Sequence, residues 1–571
     1  MLQNPVKRPN GASRWLTEAE MRAQGTNDGV SVKAYAGTTG VMLAFDVTDA
    51  RREGLLGFAI AREGGNRPPR HLAGMQRFPG QDHAPGAPVS SAVGPIQRFR
   101  WSDYAVYPGV EYRYSVRPVY GTPIDLELGD GPKVSVTTAS ATEGAHRVLF
   151  NRAAAASQAF SRDFPEVEAE LEAARASDRP PVLPPRALAW LGRGLLEQIT
   201  GICQRAVNSE WALDIAIYEY ELPAIIQAVS TAYERGAQVR IVYHAKSGDE
   251  QTAHNDHALT GWPAELRRPR TTSRIFHDKF IVLSHLDGAE RTPVAVLCGS
   301  TNFTENGVYR QANVTHHVED DRVATQYGDL FEVLFNGADT TETKSWINDN
   351  NQIDADNPVM VGFTPRSGET DLDLFESEIK AAKRDVLFCT AFELNDRIDQ
   401  ALLGAANDEI LRLGLQNTRS GITGVHRDRT AEFVASTFVA DGIEGHFLKE
   451  STAGQRGNIL IHTKLVVIDF TSDAPTVISG SHNLSAAASS GNDENFLVLR
   501  GLADVADCYG VEAMRLYEHY RFRWRRKQAE ETNGGTASGM LATDDSWTDP
   551  YFEAGSLARA DRLNFGVSPA P

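Results

Sequence analysis

The stretch "IHTKLVVIDF" (residues 461–470) sets a histidine and a lysine two residues apart, then runs into an apolar segment closed by an aspartate. Earlier in the chain "FHDKFIVLSH" (276–285) repeats the pattern, with Ser284 in the place of Asp469. Each copy leads through a further apolar strand into a turn that opens on Gly-Ser-x-Asn: "CGSTNFTENG" (298–307) and "SGSHNLSAAASSGNDEN" (479–495). His277 and His462 lie 185 residues apart, and Ser300 and Ser481 lie 181 apart. A near-constant offset between two paired motifs predicts two copies of one folding unit in a single chain.

The surrounding text supports α/β units. "ALDIAIYEYE" (212–221) is a strand candidate, "LPAIIQAVSTAYERG" (222–236) has helical spacing ending on a glycine, and "AQVRIVYHA" (237–245) is a second strand. That alternation implies a parallel or mixed sheet. The second half repeats it more loosely, with a helix over "TDLDLFESEIKAAKR", strands over "DVLFCTAFE" and "EILRLGLQN", and a long helix over "VADCYGVEAMRLYEHYRFRWRR".

Alternation on a strand points residues i and i+2 to one face, so His277 and Lys279 look into one space, as do His462 and Lys464. Two lysines, two asparagines (Asn302, Asn483) and two serine turns (Ser300, Ser481) converging on one site would hold a phosphate through point charge and directed hydrogen bonds. Two histidines across that phosphate can divide the labour, one attacking phosphorus and the other protonating the leaving oxygen. Positioning and charge stabilisation carry most of phosphoryl transfer, and the lysines themselves neutralise the oxygens, so no metal or other cofactor is expected.

With these residues the chain resembles the phospholipase D superfamily, whose signature is H-x-K-x4-D followed by G-S-x-N, present twice. The resemblance covers roughly residues 190–528. It implies a two-lobed α/β fold, a metal-independent phosphohistidine intermediate, and hydrolysis or transfer of a phosphodiester headgroup. It implies that His277 and His462 are the nucleophile and the general acid/base. Lys279, Lys464, Asn302 and Asn483 would be the phosphate clamp, with Ser300 and Ser481 assisting. In the family the N-terminal histidine is often the nucleophile; the sequence leaves open which one attacks here. Eleven residues after Asn483 stands Glu494, which resembles the family's carboxylate that orients a catalytic histidine; eleven after Asn302 stands Asn313. The first copy therefore lacks both acidic residues, Ser284 and Asn313 replacing them. Asp469, past the apolar run, reads equally as a strand-end cap and as a supporting catalytic residue.

Residues 30–139 read differently: short alternating strands between Gly, Pro and Asp punctuation, as in an all-β sandwich. "VYPGVEYRYSVRPVYG" resembles the late strands of a fibronectin type III domain, with Tyr112 in the position of a sheet-corner tyrosine. Binding or spacing is its expected task, with a protein or a glycan as partner. Residues 1–29 read as a flexible segment, 140–190 as a helical and proline-rich linker, 191–345 and 346–528 as the two lobes, and 529–571 as a partly docked tail. Both motif copies lie in one chain, which is compatible with a monomer.

The net charge of −18 opposes general attraction to polyanions, although a local basic cleft would still bind them. No apolar run reaches the length needed to span a bilayer, and no signal peptide stands at the N-terminus, which favours the cytoplasm or a non-classical export route. Four scattered cysteines read as buried free thiols. "HNDH" (His254, His257) is a weak zinc candidate, and the basic run 266–276 either lines the cleft or is a solvated loop. Three readings remain open: a phospholipase D acting on phospholipid headgroups, which the absence of a basic excess slightly favours; a nuclease of the same superfamily; and a binding protein with a degenerate first motif.

Overall fold

The structure, a computed structural model, describes residues 20–81, 87–153, 157–177, 179, 181–288, 290–404, 409–418, 421–425, 431–435, 459–532 and 540–567. The two lobes are built on two sheets of the same plan. The first sheet runs, edge to edge, through His146–Phe150, Val314–Val318, Glu290–Gly299, Lys279–Asp287, Trp211–Ile217, Gln238–His244 and Arg267–Arg270. The second runs through Val359–Thr364, Glu494–Arg500, Thr476–Gly480, Leu465–Ile468, Asp385–Ala391 and Leu411–Thr418, then Gly421–Val425 and Ala431–Ala435. In each, the strand opening on His-x-Lys is antiparallel to both neighbours, and the pair beyond it is parallel. The copies diverge after the sixth strand. Arg267–Arg270 continues the first sheet in parallel, whereas an antiparallel hairpin extends the second.

The glycine of each Gly-Ser-x-Asn turn is fixed by close approach. Gly299 (φ +141°) and Gly480 (φ +159°) each lie so near the adjacent strand that a Cβ would stand 2.3 Å from Val314 O or Asn495 O. The Ser300 and Ser481 N–H groups donate to those same carbonyls at 3.1 and 2.9 Å. Only glycine lets the turn hug its neighbour here.

The N-terminal region is all-β: a four-stranded sheet (Arg22–Asn27, Val30–Ala36, Val41–Val47, Arg100–Asp103) beside a five-stranded one built around Glu111–Thr122. Of the segment expected to be flexible, residues 1–19 lie outside the described residues and most of the rest is a strand. Arg22–Asn27 is a strand, turned back onto Val30–Ala36 at Asp28-Gly29, both with positive φ. An Asp-Gly pair is the turn chemistry such a hairpin requires. Tyr112 is buried, and its hydroxyl accepts from the Tyr107 N–H at 2.9 Å.

Three expected boundaries move. The linker contains a strand, His146–Phe150, which pairs antiparallel with Val314–Val318 and so belongs to the first sheet. Position 345 falls inside the helix Thr340–Asn350, capped by a reciprocal Asp339–Glu342 box. Position 528 falls inside the helix Ala503–Thr532. The tail docks on the sandwich and on the second lobe: Trp547 stacks on Phe99 at 5.3 Å and donates through Nε1 to Leu55 O, while Asn564 Nδ2 donates to Asp385 Oδ2 at 3.1 Å.

The long helix Ala503–Thr532 binds the parts together. Arg22 reaches from the first strand to Asp507 through Nε (2.8 Å) and Nη2 (2.7 Å). Arg193 and Arg515 both pair with the buried Glu512 at 2.6 Å, and Arg100 pairs with Glu518. One apolar core runs from the sandwich through both lobes. All four cysteines are buried and free, and burial raises each thiol above its ordinary value.

Beside Glu319, Arg147 and Arg205, the buried His317 is pushed down to about 4, by burial first and then by Arg147. Its folded value lies below the unfolded one of about 6.5, so unfolding takes up a proton in the window between them. Relative to wild type, His317→Gln should gain stability as the pH falls from about 6.5 towards 4, read as urea midpoints across that range. A constant gap between the two proteins would contradict the assignment.

Candidate active site

The two His-x-Lys strands meet at the seam between the lobes, where backbone segments cross. His277 N donates to Asp493 O, and His462 N donates to Ala312 O, both at 2.9 Å. Isolated parallel bridges join Phe276 to Asp493 and Ala312 to Ile461. This crossing brings the imidazoles face to edge, with ring centroids 6.3 Å apart.

Each histidine is oriented by a residue of the opposite lobe. Glu494 Oε2 lies 2.6 Å from His277 Nδ1, while Asn313 Oδ1 lies 2.9 Å from His462 Nδ1. The partners are themselves held in matching ways. Ser481 Oγ donates to Glu494 Oε2 at 2.8 Å, and Ser300 Oγ donates to Asn313 Oδ1 at 2.7 Å. Asn492 Nδ2 donates to the other Glu494 oxygen, and Asn313 Nδ2 donates to Gly307 O. Because an amide oxygen only accepts, His462 carries its hydrogen on Nδ1 and presents the Nε2 lone pair to the cleft.

The lysines are almost fully buried. Lys279 Nζ donates to His277 O at 2.7 Å, and Lys464 Nζ donates to His462 O at 2.6 Å. Each ammonium also lies over an aromatic ring, Tyr218 at 5.2 Å and Phe392 at 5.8 Å. Burial, then Lys279, holds Lys464 well below its ordinary value. Burial, then Lys464, Lys279 and His277, does the same to His462, while burial raises Glu494. Positive charge at His462 and Lys464 is thus disfavoured by their surroundings.

A cleft of about 390 Å³ is lined by the two histidines together with Asn302 and Asn483. Asn302 Nδ2 donates to Glu219, whose carboxylate shares this wall. Of the described side chains lining the cleft, Glu219, Glu221 and Glu250 stand against one guanidinium, Arg274.

Several expected roles change. Ser300 and Ser481 are fully buried behind Asn313 and Glu494, so their hydroxyls orient the orienting residues rather than bind phosphate. Asp469 is remote from the histidines: with φ +54° it accepts from the N–H groups of Lys383 and Arg384 at 2.8 and 2.7 Å, capping the loop before Asp385–Ala391. Ser284 lies inside the longer first-lobe strand at a register shift, buried and without a hydrogen-bond partner. The first lobe needs no aspartate there because its strand does not turn at that point. His254 pairs with Glu221 at the rim of the cleft, and His257 is exposed. Among the described residues, no group of three or more His, Cys, Asp or Glu side chains could hold a metal ion. The basic run 266–276 supplies Arg274 to the cleft but buries Arg270 in an ion pair.

Sequence reasoning missed Tyr218, Phe392 and Glu219. A signal existed: "IAIYE" and "CTAFE" both place an aromatic residue and a glutamate directly after the strand.

Two segments, 202–335 and 375–510, match the family model described as the cardiolipin synthase, PLD-like domain. With the doubled motifs and the doubled sheet, these matches identify two phospholipase D-like domains in the chain; members of the phospholipase D superfamily are phosphodiesterases and phosphotransferases. No curated protein sequence matches the chain. Solved structures that align include a phosphatidylserine synthase from Haemophilus influenzae Rd KW20, at 9% identity and TM-score 0.41, over 62% of this chain and 94% of that one. The phospholipase D family member Nuc from Salmonella typhimurium aligns at 20% identity and TM-score 0.20, over 24% and 84%. A polyphosphate kinase from Porphyromonas gingivalis aligns at 11% identity and TM-score 0.34, over 54% of this chain, which spans 43% of that protein.

The crossed pairing has a direct consequence. Asn313→Asp places a carboxylate on His462 Nδ1 and should move that imidazole's titration upward, read by NMR on histidine-labelled protein. An unchanged titration would contradict the contact.

Proposed function

We propose that this protein is a phospholipase D-type phosphodiesterase that works through a phosphohistidine on His277, with His462 as general acid and then general base, and that its substrate is a phospholipid headgroup. The observation that carries this reading is the unequal partnering of the two facing imidazoles. Attack by His277 Nε2 on phosphorus forms an N–P bond and leaves a positive charge on the ring. The Glu494 carboxylate at Nδ1 offsets that charge as it develops. The P–O bond to the leaving alcohol breaks, and the oxygen takes the proton from His462 Nε2. The neutral Asn313 amide does not stabilise imidazolium as a carboxylate would, so a protonated His462 gives up its proton readily. Water then enters, His462 removes its proton, and attack on phosphorus releases phosphatidate and regenerates His277. An alcohol in place of water gives transfer instead of hydrolysis.

Lys279 and Lys464 supply charge to the phosphate, and Asn302 and Asn483 supply directed donors from either lobe. The cleft wall supports the choice of substrate. A polynucleotide places several phosphates along its path, and its non-specific affinity comes from neutralising them. Glu219, Glu221 and Glu250 oppose such a path, whereas one phosphate with a neutral or cationic alcohol meets them without repulsion.

Pure protein incubated with phosphatidylcholine and phosphatidylglycerol vesicles, and separately with plasmid and single-stranded DNA, tests the reading. Headgroup release without nicking is expected. Nicking with inert vesicles overturns the substrate and favours the nuclease reading; inert lipid and DNA together favour a binding protein. His277→Ala and His462→Ala should each lower turnover by about 10²-fold or more. With a phosphodiester whose leaving group needs no protonation, such as a p-nitrophenyl ester, His462→Ala quenched in alkaline detergent should retain more phosphorylated histidine than wild type, because the general base for the second step is gone. EDTA should leave turnover unchanged.

A further inference from the structure

The basic run before the first motif places Arg270 in the seam between the lobes. Its guanidinium meets the Asp493 carboxylate through two bonds, Nε to Oδ2 at 2.9 Å and Nη2 to Oδ1 at 2.8 Å. Both side chains are 3% or less exposed. The remaining donors reach Thr343 Oγ1 at 3.1 Å and Ala338 O, so Arg270 also grips the helix that joins the lobes.

Asp493 is the middle of the crossing that carries His277. Its N–H donates to Ile275 O at 3.1 Å and its carbonyl accepts from His277 N at 2.9 Å, while Arg274 N donates to Gly491 O at 3.0 Å. The next residue, Glu494, holds His277 Nδ1. The one after, Asn495, donates through Nδ2 to Asp278 Oδ1 at 2.8 Å. Three consecutive residues of the second lobe thus hold His277 and its neighbour, and Arg270 anchors the first of them.

The other crossing provides the control. There Ala312 stands where Asp493 stands, with Ala312 N to Leu460 O at 2.7 Å and His462 N to Ala312 O at 2.9 Å. Asn313, Val314 and Thr463 replace Glu494, Asn495 and Asp278. The same backbone seam therefore closes around an alanine, with no ion pair. A buried ion pair is a poor source of net stability, since desolvation consumes much of its attraction. Its presence on one side only coincides with the side that holds a cluster of carboxyls. Burial pushes Asp278 up to about 8, with Asp493 and Glu494 adding to the effect and Asn495 opposing it. Arg270 compensates the Asp493 charge beside a glutamate that must stay ionised to serve His277.

We propose that Arg270, acting through Asp493, is a positioning residue for catalysis: it fixes the 493–495 segment so that the Glu494 carboxylate meets His277 Nδ1. The proposal rests on the phosphodiesterase reading for its kinetic test, but its geometric content stands apart from it. The variants are Arg270→Met, Asp493→Ala and the double Arg270→Met/Asp493→Ala, which copies the Ala312 side. Arg270→Met alone leaves a buried carboxylate unpaired and should lower both thermal stability and activity. The double variant should recover most of the stability yet keep kcat about 10- to 100-fold below wild type, with KM within about twofold. Recovery of kcat together with stability overturns the proposal and leaves the pair a structural strut. If the wild type turns over no phosphodiester, the functional reading fails and the imidazole ¹⁵N spectrum decides this one. Displacement of the His277 Nδ1 resonance in the folded double variant supports it, and an unchanged resonance overturns it.

Discussion

The two backbone crossings, 274–277 against 491–494 and 311–313 against 460–462, are what the rest of the molecule is arranged around. At each one a histidine of one lobe lends its N–H to the other and receives its orienting partner from it. Neither lobe orients its own motif imidazole: Glu494 meets His277, and Asn313 meets His462. A single copy of the motif would carry a histidine with no partner on Nδ1, free to adopt either tautomer. Two copies of the unit are therefore a geometric requirement of this site, and this chain carries both. It also lets the two halves differ, which two identical copies could not do.

The demand for precision at the seam accounts for the bracing elsewhere. A site of two imidazoles 6.3 Å apart tolerates little relative movement of the lobes. The helix Thr340–Asn350 spans them, the strand His146–Phe150 closes the first sheet, and the helix Ala503–Thr532 runs across both with its acidic side chains gripped by arginines from the sandwich and the first lobe. The N-terminal sandwich is thereby part of the same packed body as the lobes. Its strand Arg22–Asn27 and the docked tail share one apolar core with them.

The doubled lobe was legible because its signals are local. Histidine, lysine, serine and asparagine stand at fixed offsets, flanked by apolar runs of strand length, and the strands and helices follow that pattern closely. What escaped were relationships that only the third dimension creates. Glu494 and Asn313 were identifiable as an unequal pair, but spacing along the chain could not show that each belongs to the histidine of the other half. Ser300 and Ser481 look like phosphate ligands in one dimension, and the fold turns their hydroxyls backwards. Asp469 follows the motif's spacing, yet it caps a loop that the first lobe does not possess. Arg270 lies in a run that reads as solvated charge, and only the seam reveals its buried partner.

The asymmetry between the halves now has a physical direction. The side that carries Glu494 also carries Asp278, Asp493 and Arg270, whereas the side that carries Asn313 has Thr463 and Ala312 in the matching places. Charge is concentrated around His277, where the proposed mechanism forms a cationic phosphorylated ring, and is absent from the matching places around His462, which that mechanism needs to give up a proton. Under the proposed mechanism, an amide at 313 where the second copy has Glu494 specialises the two halves. A weaker base beside a leaving oxygen is a better acid, and the neutral amide achieves that while still fixing the tautomer. The cleft extends the same logic outward. Beyond the seam that holds both lysines the described wall is acidic, and under the proposed function that charge favours one isolated phosphodiester over a chain of them.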